Sequence, residues 1–317
     1  MKKNALLLLI IIIIASLYLA LSKKNSNSIK INVCKVIEHE ALNSVVAGMD
    51  DYLRKQNKNY KISVETCQGN MALASQIIAK FANSGSDIVV TVGTTPSQCA
   101  FKMAKDGKIK LIFSSVTNPN DISEKLSGNN TTGVSNFVDL EPQIELFRRI
   151  QPALKTLGII YNTGEANSVS IINKLRKVCE NMGIKLEEQG ISRSSDVYQA
   201  TDKLAKIVDA VFITNDNLAL TGIPTIVGIC NRNKIPVYVS DTDQVANGCL
   251  ASFGPNQYNI GVQTGEIIKK IVDGEDINSM AVAYPKVNEL YLNLKAAKIL
   301  GIEIPQNLRD QAKKIIE

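Results

Sequence analysis

Short apolar segments alternate with amphipathic helical segments along the chain from about residue 29 onward. The segment "IKINVCKVI" has the composition of a strand, and the apolar residues of "HEALNSVVAGMDDYLRKQ" recur at the spacing of one helix face. "DIVVTVG" is apolar almost throughout, which is typical of a strand covered on both faces. Because strand and helix keep alternating to the C-terminus, the pattern predicts an α/β fold with parallel sheets and helices on both faces.

The alternation passes through two successive cycles, each long enough to form its own core. At 317 residues the chain also exceeds the usual size of one domain. No stretch rich in Gly, Ser or Pro separates the two cycles. We therefore expect two lobes of similar architecture joined by several short crossings, with the ligand site in the cleft between them.

The N-terminus carries a targeting signal. Lys2 and Lys3 precede an apolar run of about 17 residues, Ala5 to Leu21, which is followed by the polar stretch "KKNSNS". This arrangement predicts a secretory signal peptide, with an uncleaved N-terminal anchor as the alternative, since the run approaches the length of a short membrane span. No Cys follows the run closely, so a lipid-modified cysteine is not supported.

The composition argues against several classes of function. The net charge is +6, but the basic residues are scattered and aromatic residues make up only 5% of the chain, so a nucleic-acid partner is not expected. One His and six widely separated Cys give no metal-binding spacing, and we predict neither a metal site nor a disulfide. The phosphate-loop, dinucleotide-binding and nucleophile-elbow motifs are missing, so no cofactor and no catalytic residue is predicted.

Small polar residues follow the predicted strands. The run Ile109 to Phe113, for example, leads directly into "SSVTNPND". In open parallel sheets, ligands bind beyond the carboxyl ends of the strands, where loops and helix N-termini meet. The candidate ligand-binding residues at these strand ends are Glu38, Thr94, Thr95, Ser115, Thr117, Glu165, Asn167, Ser168, Asn215, Asp216 and Asp241.

The chemistry of this set fits a zwitterion. Hydroxyls and free backbone N–H groups at helix starts suit a carboxylate, whereas acidic side chains suit an ammonium group. Taken singly, each residue could instead be an ordinary helix cap. For the ammonium we rank Asp241 first and Glu38 second. For the carboxylate the candidates are Asn167, Ser168 and either Thr94 or Thr95.

Several motifs, in this order along the chain, resemble one family. "VTVGTTPSQ", "IFSSVTNP", "IIYNTGEANSV", "IPVYVSDTD" and "GVQTGEIIKKIVDG" are similar to segments of the solute-binding proteins of ABC importers, in the group that binds tryptophan, tyrosine or phenylalanine. The resemblance implies the type I periplasmic binding protein fold, in which two Rossmann-like lobes joined by three crossings close over one ligand. It also implies an ABC permease as partner, a monomer, and the eleven candidate residues above as ligand contacts.

The resemblance gives a domain division. Residues 1–28 form the signal peptide or anchor. The N-terminal lobe takes 29–138 and about 250–283, and the C-terminal lobe takes 139–249 and about 284–317. We expect an exported protein in the periplasm, or on the outer face of the cytoplasmic membrane if the leader is retained. Two alternatives remain open, a membrane-tethered α/β enzyme and a ligand sensor for a small polar metabolite.

Overall fold

The computed structural model describes residues 28–56 and 58–317. The predicted leader lies outside the described residues, and no helix within them is long and apolar enough to cross a membrane. The strands are β1 (Ile29–Lys35), β2 (Tyr60–Thr66), β3 (Ile88–Val92), β4 (Leu111–Val116), β5 (Thr131–Ser135), β6 (Thr156–Asn162), β7 (Lys185–Ile191), β8 (Ala210–Ile213), β9 (Val237–Val239), β10 (Ala251–Gly254), β11 (Glu289–Asn293) and β12 (Lys314–Ile316).

Helices connect most of these strands, as the alternating pattern predicted. They are α1 (Glu40–Arg54), α2 (Met71–Asn83), α3 (Thr94–Lys105), α4 (Leu140–Ile150), α5 (Ala166–Asn181), α6 (Asp196–Leu204), α7 (Asn217–Thr221), α8 (Ile223–Arg232), α9 (Gln257–Val272), α10 (Leu294–Leu300) and α11 (Gln306–Gln311).

The first lobe is built on a parallel sheet of five strands in the order β2-β1-β3-β4-β5. Apolar clusters cover both of its faces: Ile31 and Val33 of β1 belong to one cluster and Cys34 to the other. Residues of β3 and β4 are all buried. This confirms the prediction that uninterrupted apolar runs mark strands covered on both faces.

The second lobe is built on a sheet of seven strands in the order β12-β11-β10-β9-β8-β6-β7. All neighbours are parallel except β10 and β11, which pair antiparallel. Because β10 pairs with β9, the chain returns to the first lobe only after Gly254. The boundary predicted at about residue 250 is therefore a few residues too early: "CLASFG" is a strand of the second sheet.

The chain passes between the lobes at residues 136–139, 255–256 and 284–288, which gives three short crossings. The third crossing leaves from the edge of the first sheet. There Ser135 N donates to Ala283 O at 2.8 Å, and Ala283 N donates to Gly133 O at 2.9 Å. Two parallel α/β lobes joined in this way confirm the predicted fold class.

Helix α9 returns to the first lobe and packs closely on α1. A Cβ on Gly48 of α1 would lie 2.0 Å from Tyr258 O, and one on Gly261 of α9 would lie 2.0 Å from Val45 O. Only glycine permits such an approach of two helix backbones. This contact fixes the start of α9, which faces the cleft, relative to the start of α1.

The six cysteines are free thiols. Cys34, Cys67 and Cys179 lie in apolar cores with exposed fractions of 1% or less, as small buried hydrophobic residues do.

Candidate ligand-binding site

The carboxyl ends of the strands of both sheets meet at one cavity between the lobes. The cavity volume is about 20 Å³, little more than the space of one water molecule. The lobes therefore lie close together, and a small ligand fits only if they or their side chains move apart. The cavity is lined by His39, Ala41, Leu42, Gly93, Thr94, Ser115, Thr117, Asn136, Asn167, Asn215, Asn217, Leu220, Asp241 and Gln257.

The N-terminus of α3 points at this cavity. Its N-cap, Gly93, has φ of +97°, and a Cβ there would lie 2.7 Å from Val36 Cγ1, so no other residue fits without displacement. The first-turn N–H groups of Thr94 and Thr95 have no acceptor within the helix, and Pro96 supplies none. Backbone N–H groups and the helix dipole therefore favour an anion at Thr94.

Ser115 is placed by a strained backbone. It has φ of +54° in a β-bulge of β4, where pairing with β5 shifts register between Ser114 and Val116. The bulge turns the Ser115 side chain toward the crossing, where its Oγ donates to Gln257 Oε1 at 3.1 Å. Left-handed backbone in a non-glycine residue costs free energy and is concentrated at binding sites.

Asp241 is the carboxylate of the cavity wall. It follows β9, is 1% exposed, and its Oδ1 accepts from Asp243 N at 3.0 Å. Among the residues that the structure describes, none forms a hydrogen bond with its Oδ2. Burial, and secondarily the nearby Asp243 carboxyl, raises the pKa of Asp241 to about 7. When Asp241 is ionised, its buried charge is stabilised by a cation that enters from outside the protein.

Glu165 joins the start of α5 to the start of α7. Its two carboxylate oxygens accept hydrogen bonds from Asn162, Asn167, Asn217 and Leu218, including Asn217 Nδ2 at 2.6 Å. These contacts leave Glu165 saturated, so it orients its neighbours. Asn167, held by Glu165, lines the cavity, and its buried Oδ1 has no partner in the described part of the chain.

The floor of the cavity is formed where two crossings meet. Asn215 Nδ2 donates to Asn136 O at 3.1 Å, and Gln257 Nε2 donates to Asn136 Oδ1 at 3.3 Å. Asn167 Nδ2 donates to Asn215 O at 2.9 Å. Side-chain amides thus tie both lobes to the segment that links them.

His39 and Asn217 meet across the cleft. His39 precedes α1 in the first lobe, and its Nε2 lies 3.3 Å from Oδ1 of Asn217, the first residue of α7 in the second lobe. Burial is the main cause that lowers the pKa of His39 to about 4, and Lys35 adds to it. The imidazole is therefore neutral near pH 7.

Further hydrogen bonds cross between the lobes beside the cavity. Asn118 Nδ2 donates to Ser170 Oγ at 3.0 Å, and Asn247 Nδ2 donates to Glu40 Oε2 at 3.0 Å. Both bonds need the lobes to be close, so they belong to a closed arrangement.

Six of the eleven residues predicted from the sequence line the cavity, and the other five do not. The lining six are Thr94, Ser115, Thr117, Asn167, Asn215 and Asp241. The five outside the lining are Glu38, Thr95, Glu165, Ser168 and Asp216.

Three of the five, Glu38, Asp216 and Glu165, have another role in the structure. Glu38 is half exposed and pairs with Lys35 at 2.7 Å, which lowers its pKa and leaves it no free charge. Asp216 caps α7 by accepting from Ala219 N at 2.7 Å, which is the ordinary capping role left open for each candidate in the sequence. Ser168 is fully buried beside it. Thr95 follows Thr94 in the first turn of α3. Glu165 accepts hydrogen bonds that hold the start of α5 and the start of α7, as described above.

The sequence prediction missed several lining residues. Asn136 ends the motif "TGVSN" and Gln257 follows "FGPN", so both sit at crossings whose positions only the sheet topology reveals. Ala41, Leu42 and Leu220 are apolar, and only the fold brings them to the cavity. Within the described residues, no group of three or more His, Cys, Asp or Glu side chains is placed to hold a metal ion.

Known proteins are similar to this chain in sequence and architecture. Residues 30–316 match the family described as ABC transporter substrate binding protein. A tyrosine-binding protein of Clostridioides difficile (strain R20291) is 29% identical over 290 residues, which cover 89% of this chain and 83% of that protein.

Two solved structures allow the state of the lobes to be compared. An ABC domain from Streptococcus pneumonia in complex with L-Trp is 27% identical, with a TM-score of 0.85 over 92% of this chain and 100% of that one. The ligand-free, open structure of a substrate binding protein with adhesive properties from Clostridium difficile is 31% identical, yet its TM-score is 0.69 over 90% and 99%. The closer overlap with the ligand-bound structure, despite lower identity, indicates that the lobes here are closed. The chain belongs to the family of ABC transporter substrate binding proteins.

Proposed function

We propose that this protein captures an aromatic amino acid in the cleft between its lobes and delivers it to an ABC importer. The observation that carries the proposal is the Asp241 carboxylate, which is buried, lacks a cation and faces a cavity that also receives the N-terminus of α3. One wall thus favours a positive group and another a negative group. An α-amino acid carries both on adjacent atoms.

The ammonium group is assigned to Asp241 and Asn167, both from the second lobe. For Asn167 this replaces the carboxylate contact expected from the sequence, because its free atom is the acceptor Oδ1. Each has one buried acceptor oxygen without a partner, and an ammonium supplies three donors. The α-carboxylate is assigned to Thr94 at the start of α3 and to the hydroxyls of Ser115 and Thr117 in the first lobe. Because the two ligand charges are held by different lobes, binding stabilises the closed arrangement.

The aromatic side chain is inferred from the relatives. One relative carries the name tyrosine-binding protein, and a solved structure that overlaps this chain holds L-Trp. Both exceed 25% identity across most of the chain. The protein is proposed to act as a monomer with an ABC permease, and the proposal assigns it no catalytic step.

The proposal places the mature protein outside the cytoplasmic membrane. The apolar leader after Lys2 and Lys3 supports export, and a cleaved leader would release the protein into the periplasm. N-terminal sequencing of the exported protein tests this. A mature start between about Ser22 and Ile29 supports release, whereas a retained Met1 supports a membrane anchor.

The direct test of ligand class is the small molecule that co-purifies with the protein. The mature chain is purified without added ligand and denatured, and the released molecules are read by mass spectrometry. We expect tyrosine, tryptophan or phenylalanine in amounts that approach one per protein. A sugar, a nucleoside or a polyamine at that level would contradict the proposal.

A further inference from the structure

Within residues 28–56 and 58–317, three buried side-chain acceptors of the cavity lining have no hydrogen-bond partner: Asp241 Oδ2, Asn167 Oδ1 and His39 Nδ1. The first two lie in the second lobe and fit the ligand ammonium, as proposed above. His39 lies in the first lobe, and nothing in the proposed zwitterion contacts engages it. Because buried polar atoms in native proteins are nearly always hydrogen-bonded, the free His39 Nδ1 points to a further ligand contact.

Hydrogen bonds in the second lobe fix which His39 nitrogen carries the proton. Glu165 accepts from Asn217 Nδ2 at 2.6 Å, so the Asn217 amide is oriented with its Oδ1 toward His39. A carbonyl oxygen only accepts, so the neutral His39 donates to it through Nε2–H. The Nδ1 atom then carries a lone pair. His39 lines the cavity, and within the described residues it thus keeps a free acceptor at Nδ1 and no free donor.

The surroundings of His39 show which part of a ligand meets it. The apolar lining residues are Ala41 and Leu42 at the start of α1, next to His39, and Leu220 on α7, the helix that begins with Asn217. The apolar wall and the His39–Asn217 contact thus come from the same two segments. A ligand side chain is expected against this wall, since its backbone charges are held elsewhere in the cavity.

We propose that His39 determines the specificity for the ligand side chain. Its Nδ1 accepts a hydrogen bond from a side-chain donor such as a phenol O–H or an indole N–H. This inference rests on the proposed function. A side chain without a donor would leave the Nδ1 atom buried and unpaired, which weakens its binding. The site would therefore favour tyrosine over phenylalanine, and tryptophan over its sulfur analogue 3-benzothienylalanine, which lacks the N–H.

Two substitutions separate the two nitrogens of His39. In His39→Gln, the side-chain amide N–H can still reach Asn217, but no acceptor remains at the Nδ1 position. In His39→Asn, the amide oxygen stands at the Nδ1 position, but the contact with Asn217 is lost. The two variants are polar and uncharged, so each controls for the other.

Calorimetry with tyrosine and phenylalanine is carried out on the wild type and on both variants. We expect the wild type to prefer tyrosine by about tenfold, the size of one such hydrogen bond. His39→Gln should lose this preference, whereas His39→Asn should keep it while binding both ligands more weakly. An equal loss for both ligands in His39→Gln, or a wild type without the preference, would overturn the inference but not the proposed function. A wild type that binds neither these ligands nor tryptophan would refute both.

The tautomer can be observed directly because the chain has a single His. Protein labelled with ¹⁵N in histidine, and purified without a histidine tag, gives one pair of ring nitrogen signals. With tyrosine bound we expect the neutral Nε2–H form. The new hydrogen bond should also shift the Nδ1 signal away from the chemical shift that it has with phenylalanine bound. A protonated Nδ1, or identical Nδ1 shifts with tyrosine and phenylalanine, would overturn the assignment.

Discussion

The substitution Asp241→Asn tests the ammonium site most sharply, because it keeps the shape of the side chain and removes its charge. Asp241 is 1% exposed, and its Oδ2 has no partner within the described residues. Burial raises its pKa from 3.8 to about 7. Each pKa unit corresponds to about 1.4 kcal/mol, so holding the carboxylate ionised at pH 8 costs the ligand-free protein about 4 kcal/mol.

A bound ammonium would offset that cost. We therefore expect Asp241→Asn to weaken amino acid binding by about 2–5 kcal/mol, which is about 30-fold or more in Kd. The same substitution should leave the ligand-free protein at least as stable at pH 8, since an unpaired buried charge has been removed. Calorimetry measures the first effect and thermal unfolding of the ligand-free protein the second.

Asp243→Asn is the matched control. Asp243 lies two residues further on, is not part of the cavity lining, and raises the pKa of Asp241 by repulsion. Its neutralisation should therefore leave binding at pH 7 unchanged or slightly tighter. If Asp241→Asn is stable and binds like the wild type, or if Asp243→Asn weakens binding as much as Asp241→Asn does, the assignment of the ammonium to Asp241 is wrong.

Three further predictions follow from the same contacts. Ligand affinity should fall as the pH drops below about 7, by up to tenfold per pH unit, because Asp241 must lose a proton before it can bind the ammonium. Titration calorimetry between pH 5 and 8 should show this slope in the wild type and a flat profile in Asp241→Asn. Ser170→Ala removes the acceptor of a bond between the lobes and should weaken binding about two- to tenfold without lowering the Tm of the ligand-free protein; an unchanged Kd would show that this bond does not hold the closed state. Gly48→Ala places a Cβ 2.0 Å from Tyr258 O and should lower the free energy of unfolding, measured in urea, by about 1–3 kcal/mol. In the control Gly228→Ala the nearest atom to the new Cβ is 4.0 Å away, so the free energy of unfolding should rise by up to about 1 kcal/mol. Equal effects of the two substitutions would refute the close contact of α1 and α9.

The pH dependence of stability has the opposite sign to that of binding. The folded-state pKa values of Asp241 and Asp216 are raised to about 7, above the ordinary value of 3.8. Burial is the main cause for both, and the Glu165 carboxyl adds to it for Asp216. Stability from these groups is thus present at low pH and is lost as the pH rises through 7. On mild acidification these two carboxyls add to the stability of the ligand-free protein, while its affinity for ligand declines.

Local patterns were enough to predict the fold. A short, almost wholly apolar run such as Ile88–Val92 is typical of a strand buried on both faces, and Gly85 and Gly93 lie on either side of it. The lobe boundary at β10 was harder to predict, because "CLASFG" has the composition of a strand that fits either sheet. Its partner β9 lies twelve residues earlier, and pairing between segments is set by the tertiary fold rather than by their composition.

The site was predictable where chain position alone places a residue in the cleft. Thr94 and Asp241 directly follow strands, and the carboxyl ends of parallel strands share one edge. Glu38 has the same position in the sequence, but its carboxylate turns to Lys35, a competition that composition cannot reveal. Gln257 and Asn136 reach the cavity because crossings pass its floor. His39 was seen in the sequence only as a lone histidine, and its role depends on an Asn217 that another residue orients.

The central claim, that the cleft holds both charges of an amino acid, is tested most directly by calorimetry on ligand-stripped mature protein. Tyrosine and tryptophan are compared with their amides, which lack the carboxylate charge, and with their deamino acids, which lack the ammonium. Charged hydrogen bonds of this kind contribute about 1.5–3 kcal/mol each. The account therefore predicts one binding site, with affinity at least about tenfold weaker for either analogue than for the parent amino acid. Equal affinity for a parent and its amide, or for a parent and its deamino acid, would contradict it.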